Sequence, residues 1–485
     1  MTDHRSFPAA SAAGRLSRHP QDAFRQASPA DSFTRSPRRH LVLALGLLLA
    51  TGCSSAGEGR GGALTAPGSV DAGAPVALDA AACRAAVRKQ QGKGLKSIDT
   101  AADEKVKQVP EVPRPKKGEV HTDPIHGSCM VRVTDHANEP PERFARHDYS
   151  RRQAFNADGS RLLIYSFDGS WHLYDARTMA WVDELSGPAS DAEIHWHPTD
   201  PNLLWYQDTN GVGMVIYEMN IESGRTREMG DLGDRIKAIW PEAHAASTRS
   251  EGAPSRDGRY WCFMVDDAKW QSLGLVVWDR QTDTIVGSKP THGDRPDHVS
   301  MSPSGNRCVV SSDTEGVGTR AWSRDFKHSV ELHHKSEHSD LALDAQGRDV
   351  YVSIDYQASN GDVFMVDVET GKRTTLFSTY LDGSATAAHF SGRAFKRPGW
   401  VLVSAYATDG GTQWLHEKLL AVSLEAKPKV KGIGYHHSRF NGYWTEPQAT
   451  VNPDFTRVLF NSNWGSKSDM DIDNYLVVLP ENALD

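Results

Sequence analysis

Long apolar runs are nearly absent from this 485-residue chain. One exists, Leu41–Ala50, and ten residues at roughly 1.5 Å each fall far short of a bilayer core of about 30 Å. A multi-span channel is thereby excluded. Cysteine is scarce, five in all and never as Cys-x-x-Cys, which argues against thiol-ligated zinc and dithiol redox chemistry. Positive charge is not in excess: 54 Lys+Arg against 62 Asp+Glu leave a formal net charge of -8, so a nucleic-acid backbone is not an expected partner. No Gly-x-Ser-x-Gly, P-loop or dinucleotide-binding glycine pattern sits between a strand and a helix, which weakens serine hydrolase, NTPase and dehydrogenase readings. What the chain has instead is glycine (41), proline (25) and aromatic residues (13 Trp, 13 Tyr, 15 Phe) on a 38% hydrophobic background. That is neither collagen-like nor disordered.

The short apolar run reads as part of an export signal. Arg35 to His40 form a basic stretch, Leu41–Ala50 the apolar stretch, and Thr51-Gly52-Cys53 a small-residue cleavage site. Leu49-Ala50-Thr51-Gly52-Cys53 resembles the lipobox of bacterial lipoproteins, which implies lipidation of Cys53 and a mature chain starting there. The plain secretory alternative treats Cys53 as coincidental, and Arg38-Arg39 also fits a twin-arginine signal. A lipid anchor in the bacterial cell envelope, at the outer membrane, is the expected location. Residues 1–52 carry seven Arg and three Asp, so their removal takes the net charge to about -12. Cys83, Cys129, Cys262 and Cys308 then remain, enough for two disulfides in an oxidising compartment, with three pairings open. Residues 53–120 read as a Gly/Ala/Ser/Pro tether followed by an irregular segment.

Residues 121–485 form the folded body. From residue 150 a unit recurs: a strand, a turn of the Ser-Pro-Asp-Gly kind, then a strongly apolar strand. The turns start at Asn156, His197, Ser255, Ser302, Asp344, Phe395 and Asn452. Seven units of this length, each with room for four strands, predict an all-β, seven-bladed β-propeller. The last unit is one strand short, and the alternating segment Ser128–Thr134 supplies it, closing the ring from the N-terminal side. In His195-Trp196-His197-Pro198, His197 occupies a turn position, which predicts a structural hydrogen bond. Asp469, Asp471 and Asp473 read as a solvated turn, lacking the glycine and distal glutamate of an EF-hand loop.

The innermost strand of each blade lines the central channel. Positions four before each turn are Arg152, Glu193, Glu251, His298, Asp340, Ser391 and Gln448; positions six before include Arg249, His338, His389 and Glu446. A period of two puts both sets on one face. Polar side chains therefore crowd the channel mouth. His298, His338 and His389, from consecutive blades, with the Gln448 amide oxygen, make a candidate site for a divalent metal, Mn²⁺ or Zn²⁺; hydrated channel histidines are the alternative.

The seven Ser-Pro-x-Gly-type turns, the lipoprotein-like signal and three His with a Gln at the mouth resemble oligogalacturonate lyase. That family is a seven-bladed propeller whose metal is held by three His and one Gln. Glu446 to Ser462 resembles its last blade, with one departure: no His follows Gln448 before Ser462. Ulvan lyases are similar in architecture and use His and Tyr, with an Arg neutralising the uronate. The resemblance implies β-elimination on an acidic polysaccharide. That reaction needs the C6 carboxylate neutralised, the C5 proton removed and the O4 leaving group protonated. His147, Tyr149 and Arg152 are the acid/base and charge candidates, and Arg249, Arg439, Tyr443 and Trp444 the substrate-binding ones, aromatic faces suiting sugar rings. The alternative of another class is a non-catalytic lipoprotein serving as a binding or assembly platform.

Overall fold

The computed structural model describes residues 78, 81–83, 85 and 102–485, apart from 142, 189–191, 250, 382, 407–412 and 480–482. The export signal, Cys53 and most of the tether lie outside the described residues.

Seven sheets are present among them, and each corresponds to one of the repeats. Blade 1 holds β3–β6 (Ala145–Arg146, Arg161–Ser166, Trp171–Asp175, Trp181–Glu184) and blade 2 β7–β10 (His195–Trp196, Leu203–Gln207, Val215–Asn220, Thr226–Asp231). Blade 3 holds β11–β14 (Ala243–Ser247, Tyr260–Asp267, Ser272–Asp279, Thr284–Pro290) and blade 4 β15–β18 (His298–Met301, Arg307–Ser311, Thr319–Ser323, Ser329–His333). Blade 5 holds β19–β22 (Ser339–Leu343, Asp349–Asp355, Asp362–Asp367, Arg373–Ser378) and blade 6 β23–β26 (Ala387–Ser391, Trp400–Tyr406, Lys418–Ser423, Val430–Tyr435). Blade 7 contains β27–β29 (Thr450–Val451, Arg457–Ser462, Asp473–Val478) and is completed by β2 (Cys129–Arg132), which pairs antiparallel with β29. The ring is thus closed by an N-terminal strand. A fifth strand, β1 (Val120–Thr122), adds to the outer edge of β2, which the sequence pattern did not announce.

The repeated turns form for a chemical reason. The first residue of the turn accepts the backbone N–H of the residue that begins the second strand. Asn156 accepts from Arg161 at 2.9 Å, Ser255 from Tyr260 at 2.9 Å, and Asn452 from Arg457 at 2.8 Å. The glycine three positions after the head, at Gly159, Gly258, Gly305 and Gly347, has φ between 68° and 78°, a left-handed value that glycine adopts without Cβ strain. In blade 2 the His197 imidazole does the same work, its Nδ1 accepting the Asp200 N–H at 2.9 Å.

Apolar side chains alternate off both faces of the middle strands and pack between blades. Trp205 of blade 2 and Trp261 and Trp278 of blade 3 form one such layer with Phe263 and Ile216, all essentially inaccessible. Two disulfides resolve the pairing the sequence left open: Cys262 in β12 joins Cys308 in β16 across blades 3 and 4, and Cys83 joins Cys129 in β2. Each spans 46 residues.

The expected solvated turn at the Asp469–Asp473 run holds for Asp469, which is exposed, and is corrected at Asp473. Asp473 is fully buried and bonded to Arg132 (2.7 Å), Arg114, the Thr134 hydroxyl (2.7 Å) and the His136 ring (3.1 Å). This network fastens the segment before β1 to blade 7. A buried carboxylate needs such partners, and alternation within the run gave no sign of arginines from 340 residues upstream.

Candidate functional site

Because every inner strand enters the channel from the same face, its upstream end lies at the mouth. There the regular alternation fails in blade 1. β3 stops at Arg146, the chain makes a tight turn in which the Arg152 N–H meets the Tyr149 carbonyl at 3.0 Å, and pairing with the second strand resumes only at Phe155. The turn brings His147, Tyr149, Arg151 and Arg152 together at the mouth. Blade 3 is interrupted likewise: Arg249 has φ 58°. Gln448, before β27, has φ 40°. Non-glycine residues held in the left-handed region carry backbone strain, and such strain gathers at functional sites.

Arginine dominates the electrostatics. Arg151, buried, reaches across the channel to Glu251 of blade 3 at 3.0 Å, to His298 Nε2 of blade 4, and to the Glu337 carbonyl of blade 5 at 3.4 Å. Arg152, also buried, donates to His195 Nε2 at 2.9 Å and lies 3.3 Å from the Asp148 carboxylate. Arg249 donates to the Pro296 carbonyl at 3.1 Å and approaches Asp297 at 3.9 Å. Arg146 is different. It is 2% exposed, donates to the Gln448 amide oxygen and the Asp148 carbonyl, and lies over the rings of Trp444 (5.0 Å) and Tyr443 (5.5 Å). Among the described residues it forms no direct ion pair, and its charge acts on the carboxyls of Asp148 and Glu446 through space.

The histidines are neutral. Burial, then the Arg151 charge, lowers His298; burial and neighbouring His389 push His338 down to about 3; burial and Arg151 push His389 to about 3. His298 Nδ1 faces Asp297 at 3.3 Å, so its Nε2 accepts from Arg151. The rings of His338 and His389 stack at 4.2 Å, Tyr406 stacks on His389 from 5.4 Å, and Tyr149 meets His389 edge-on at 5.3 Å. His389 Nε2 donates to Glu446 at 2.7 Å, and burial raises the Glu446 carboxyl above its ordinary value. Burial likewise raises the Tyr149 phenol well above its usual range, leaving it protonated at neutral pH.

Of the residues singled out in the sequence, His298, His338, His389, Tyr149, Arg152, Gln448 and Trp444 all lie at this mouth. The four metal candidates do not converge on a common point. Gln448 is engaged by Arg146 and His298 by Arg151, and the two groups of three His, Asp or Glu ligand atoms within 4.8 Å of one another among the described residues lie elsewhere. As arranged, the four side chains do not fit a divalent cation, because two of their donors already face guanidinium groups. His147 is fully buried with Nε2 on the Gln448 carbonyl at 2.5 Å and Nδ1 on Asn474 at 3.2 Å, an arrangement that holds the turn in place. Arg439 is exposed and lines a 650 Å³ groove with Trp464, His437 and Pro110–Pro113, none of them mouth residues. A 480 Å³ cavity between Arg348, Trp400 and Lys429 opens on the opposite face. Sequence reasoning missed Arg151, which is out of phase with a regular strand, and Arg146, which lies further upstream than the positions counted back from the turn. The only signal was polarity in a segment too rich in charge to be an ordinary inner strand.

No family model matches the chain, and no curated protein matches it. Solved structures do. An oligogalacturonate lyase in complex with manganese superposes with a TM-score of 0.56 at 14% identity, covering 76% of this chain and 97% of that one. An oligogalacturonate lyase from Vibrio parahaemolyticus superposes with a TM-score of 0.53 at 13% identity, covering 75% and 97%. At such identity the likeness is one of fold, and it supports the seven-bladed architecture.

Proposed function

We propose that this protein is a propeller lyase that cleaves an acidic, uronate-containing polysaccharide by β-elimination at the channel mouth. The observation that carries the reading is Arg146: a buried guanidinium that forms no direct ion pair among the described residues, flanked by two aromatic faces. Burying such a charge is costly, and an anionic ligand stacked on Tyr443 and Trp444 relieves the cost. A uronate has both features, a carboxylate and a ring with an apolar face. The oligogalacturonate lyases of the same fold support the choice of substrate class.

The chemistry follows from the protonation states. Arg146 pairs with the C6 carboxylate and so acidifies the C5 proton. His338 donates its Nδ1–H to the Ala388 carbonyl at 3.1 Å, which leaves the Nε2 lone pair to take that proton; the incoming anion raises this imidazole's proton affinity. The C4–O4 bond breaks, its electron pair goes to O4, and the neutral Tyr149 phenol protonates the leaving oxygen. The product carries a C4=C5 double bond, and Tyr149 is reprotonated from solvent. Arg151 and Arg152 hold the turn that presents Tyr149.

A rise in ultraviolet absorbance on pectic, ulvan-like or alginate oligosaccharides tests the proposal. No product on any of them, with an envelope component retained by the immobilised protein, turns the reading to a binding platform. A metal-assisted version, with Mn²⁺ or Zn²⁺ on His298, His338, His389 and Gln448, requires Arg151 and Arg146 to withdraw from two of these ligands. It predicts activity abolished by chelators, whereas the arginine version is insensitive to them. The cell-envelope location belongs to the same proposal: a fatty-acid analogue labels the wild type but not Cys53→Ser, and equal labelling refutes a lipid on Cys53.

A further inference from the structure

Away from the channel, where β18 of blade 4 meets blade 5, three metal-ligating side chains come together. His333 ends β18, His334 follows it, and Asp355 ends β20. One ligand atom from each lies within 4.8 Å of the others. Adjacent strand residues normally point to opposite faces; here the strand has ended and the two imidazole rings sit 4.3 Å apart. Both strands run towards the mouth face, so the cluster lies on the same face as the channel entrance but at the outer edge of a blade.

His333 is the telling residue. It is 3% exposed, and neither ring nitrogen has a hydrogen-bond partner. Buried polar atoms are nearly always paired, so an imidazole packed 5.0 Å from the Phe364 ring with two idle nitrogens calls for a ligand. Asp355 is held in place from behind: one oxygen accepts the Ala358 N–H at 3.0 Å and the other Arg373 at 2.9 Å. Each carboxylate oxygen keeps a second lone pair. The other such group, His136, Asp471 and Asp473, is more fully engaged: Arg114 and Arg132 pair with its carboxylates and the His136 ring is bonded to Asp473, whereas here Arg373 takes one oxygen of Asp355 and both His333 nitrogens lack a hydrogen-bond partner.

We infer that His333, His334 and Asp355 form a binding site for a first-row divalent cation such as Zn²⁺, linking the outer strand of blade 4 to blade 5. Two imidazoles and one carboxylate suit borderline metals of this row rather than Mg²⁺ or Ca²⁺, with water completing the coordination. The test uses the whole chain, dialysed against a chelator and titrated with Zn²⁺ by calorimetry, and with Co²⁺ by its visible absorption. The wild type should take up one ion. His334→Ala, an exposed substitution that leaves the core intact, should weaken binding by about tenfold or more and abolish the cobalt spectrum without changing the melting temperature. Asp355→Asn should weaken binding as well, while His338→Ala at the mouth should not. Failure of the wild type to bind, equal binding by His334→Ala, or loss confined to His338→Ala overturns the assignment.

Discussion

Arg146 and Arg151 are both buried guanidinium groups at one channel mouth, yet their removal should have opposite consequences. Arg151 lies 3.0 Å from Glu251, with side-chain exposures of 5% and 9%. Arg151→Met strips that carboxylate of its guanidinium inside the protein, and breaking a buried pair in this way costs about 3–5 kcal/mol. Arg146→Met removes hydrogen bonds to Gln448 and the Asp148 carbonyl and the contacts with two rings, each contributing about 1 kcal/mol. Against this stands the removal of a buried ion that forms no direct ion pair, a relief of several kcal/mol. The net change should stay within about 1 kcal/mol. Function should rank the other way for this residue: losing a charge-assisted bond of about 1.5–3 kcal/mol to the uronate lowers kcat/KM roughly 10- to 150-fold. Urea unfolding and the ultraviolet assay on the same preparations measure both quantities. Should Arg146→Met unfold as readily as Arg151→Met, or keep full kcat/KM, the idea of a cation held ready for an anionic sugar is wrong.

Acid should destabilise the fold. Burial holds the imidazoles of His147, His389 and His436 near 4, 3 and 4, below the 6.5 of the unfolded chain. The unfolded state therefore binds more protons below about pH 6.5, so stability is complete above that value and falls with pH, by about 2 kcal/mol per imidazole at pH 5. An unchanged urea midpoint between pH 7.5 and 5 contradicts this. Replacing both Cys262 and Cys308 by Ala opens a 46-residue span between two blades and should cost about 4 kcal/mol through unfolded-state entropy. Non-reducing peptide maps should recover the Cys83–Cys129 and Cys262–Cys308 pairs, and any other pairing refutes the assignment.

The seven turns were readable from the sequence because they depend on residues within five positions: a side-chain acceptor at six of the seven heads, and in four of them a glycine that tolerates positive φ. The same local logic gave the closing strand at Cys129–Arg132, whose alternation is independent of its partner, and the structural role of His197. Inner-strand polarity likewise placed His298, His338, His389 and Gln448 at the mouth, since a period of two holds wherever the strand is regular. It stopped being a guide where the strand breaks. Arg146 ends the strand before the blade 1 turn and Arg151 lies within the turn, and only the ring brings them to Gln448, 302 residues away, and to His298, 147 residues away. Asp473 with Arg114 and Arg132, and His333 with Asp355, are likewise encounters between distant segments. The sequence by itself determined the number of blades and the order of their closure, because hydrogen bonding in turns and alternation in strands are short-range. Which charges face one another at the mouth was decided by tertiary structure alone, because those pairs exist only once seven blades have closed around a common axis.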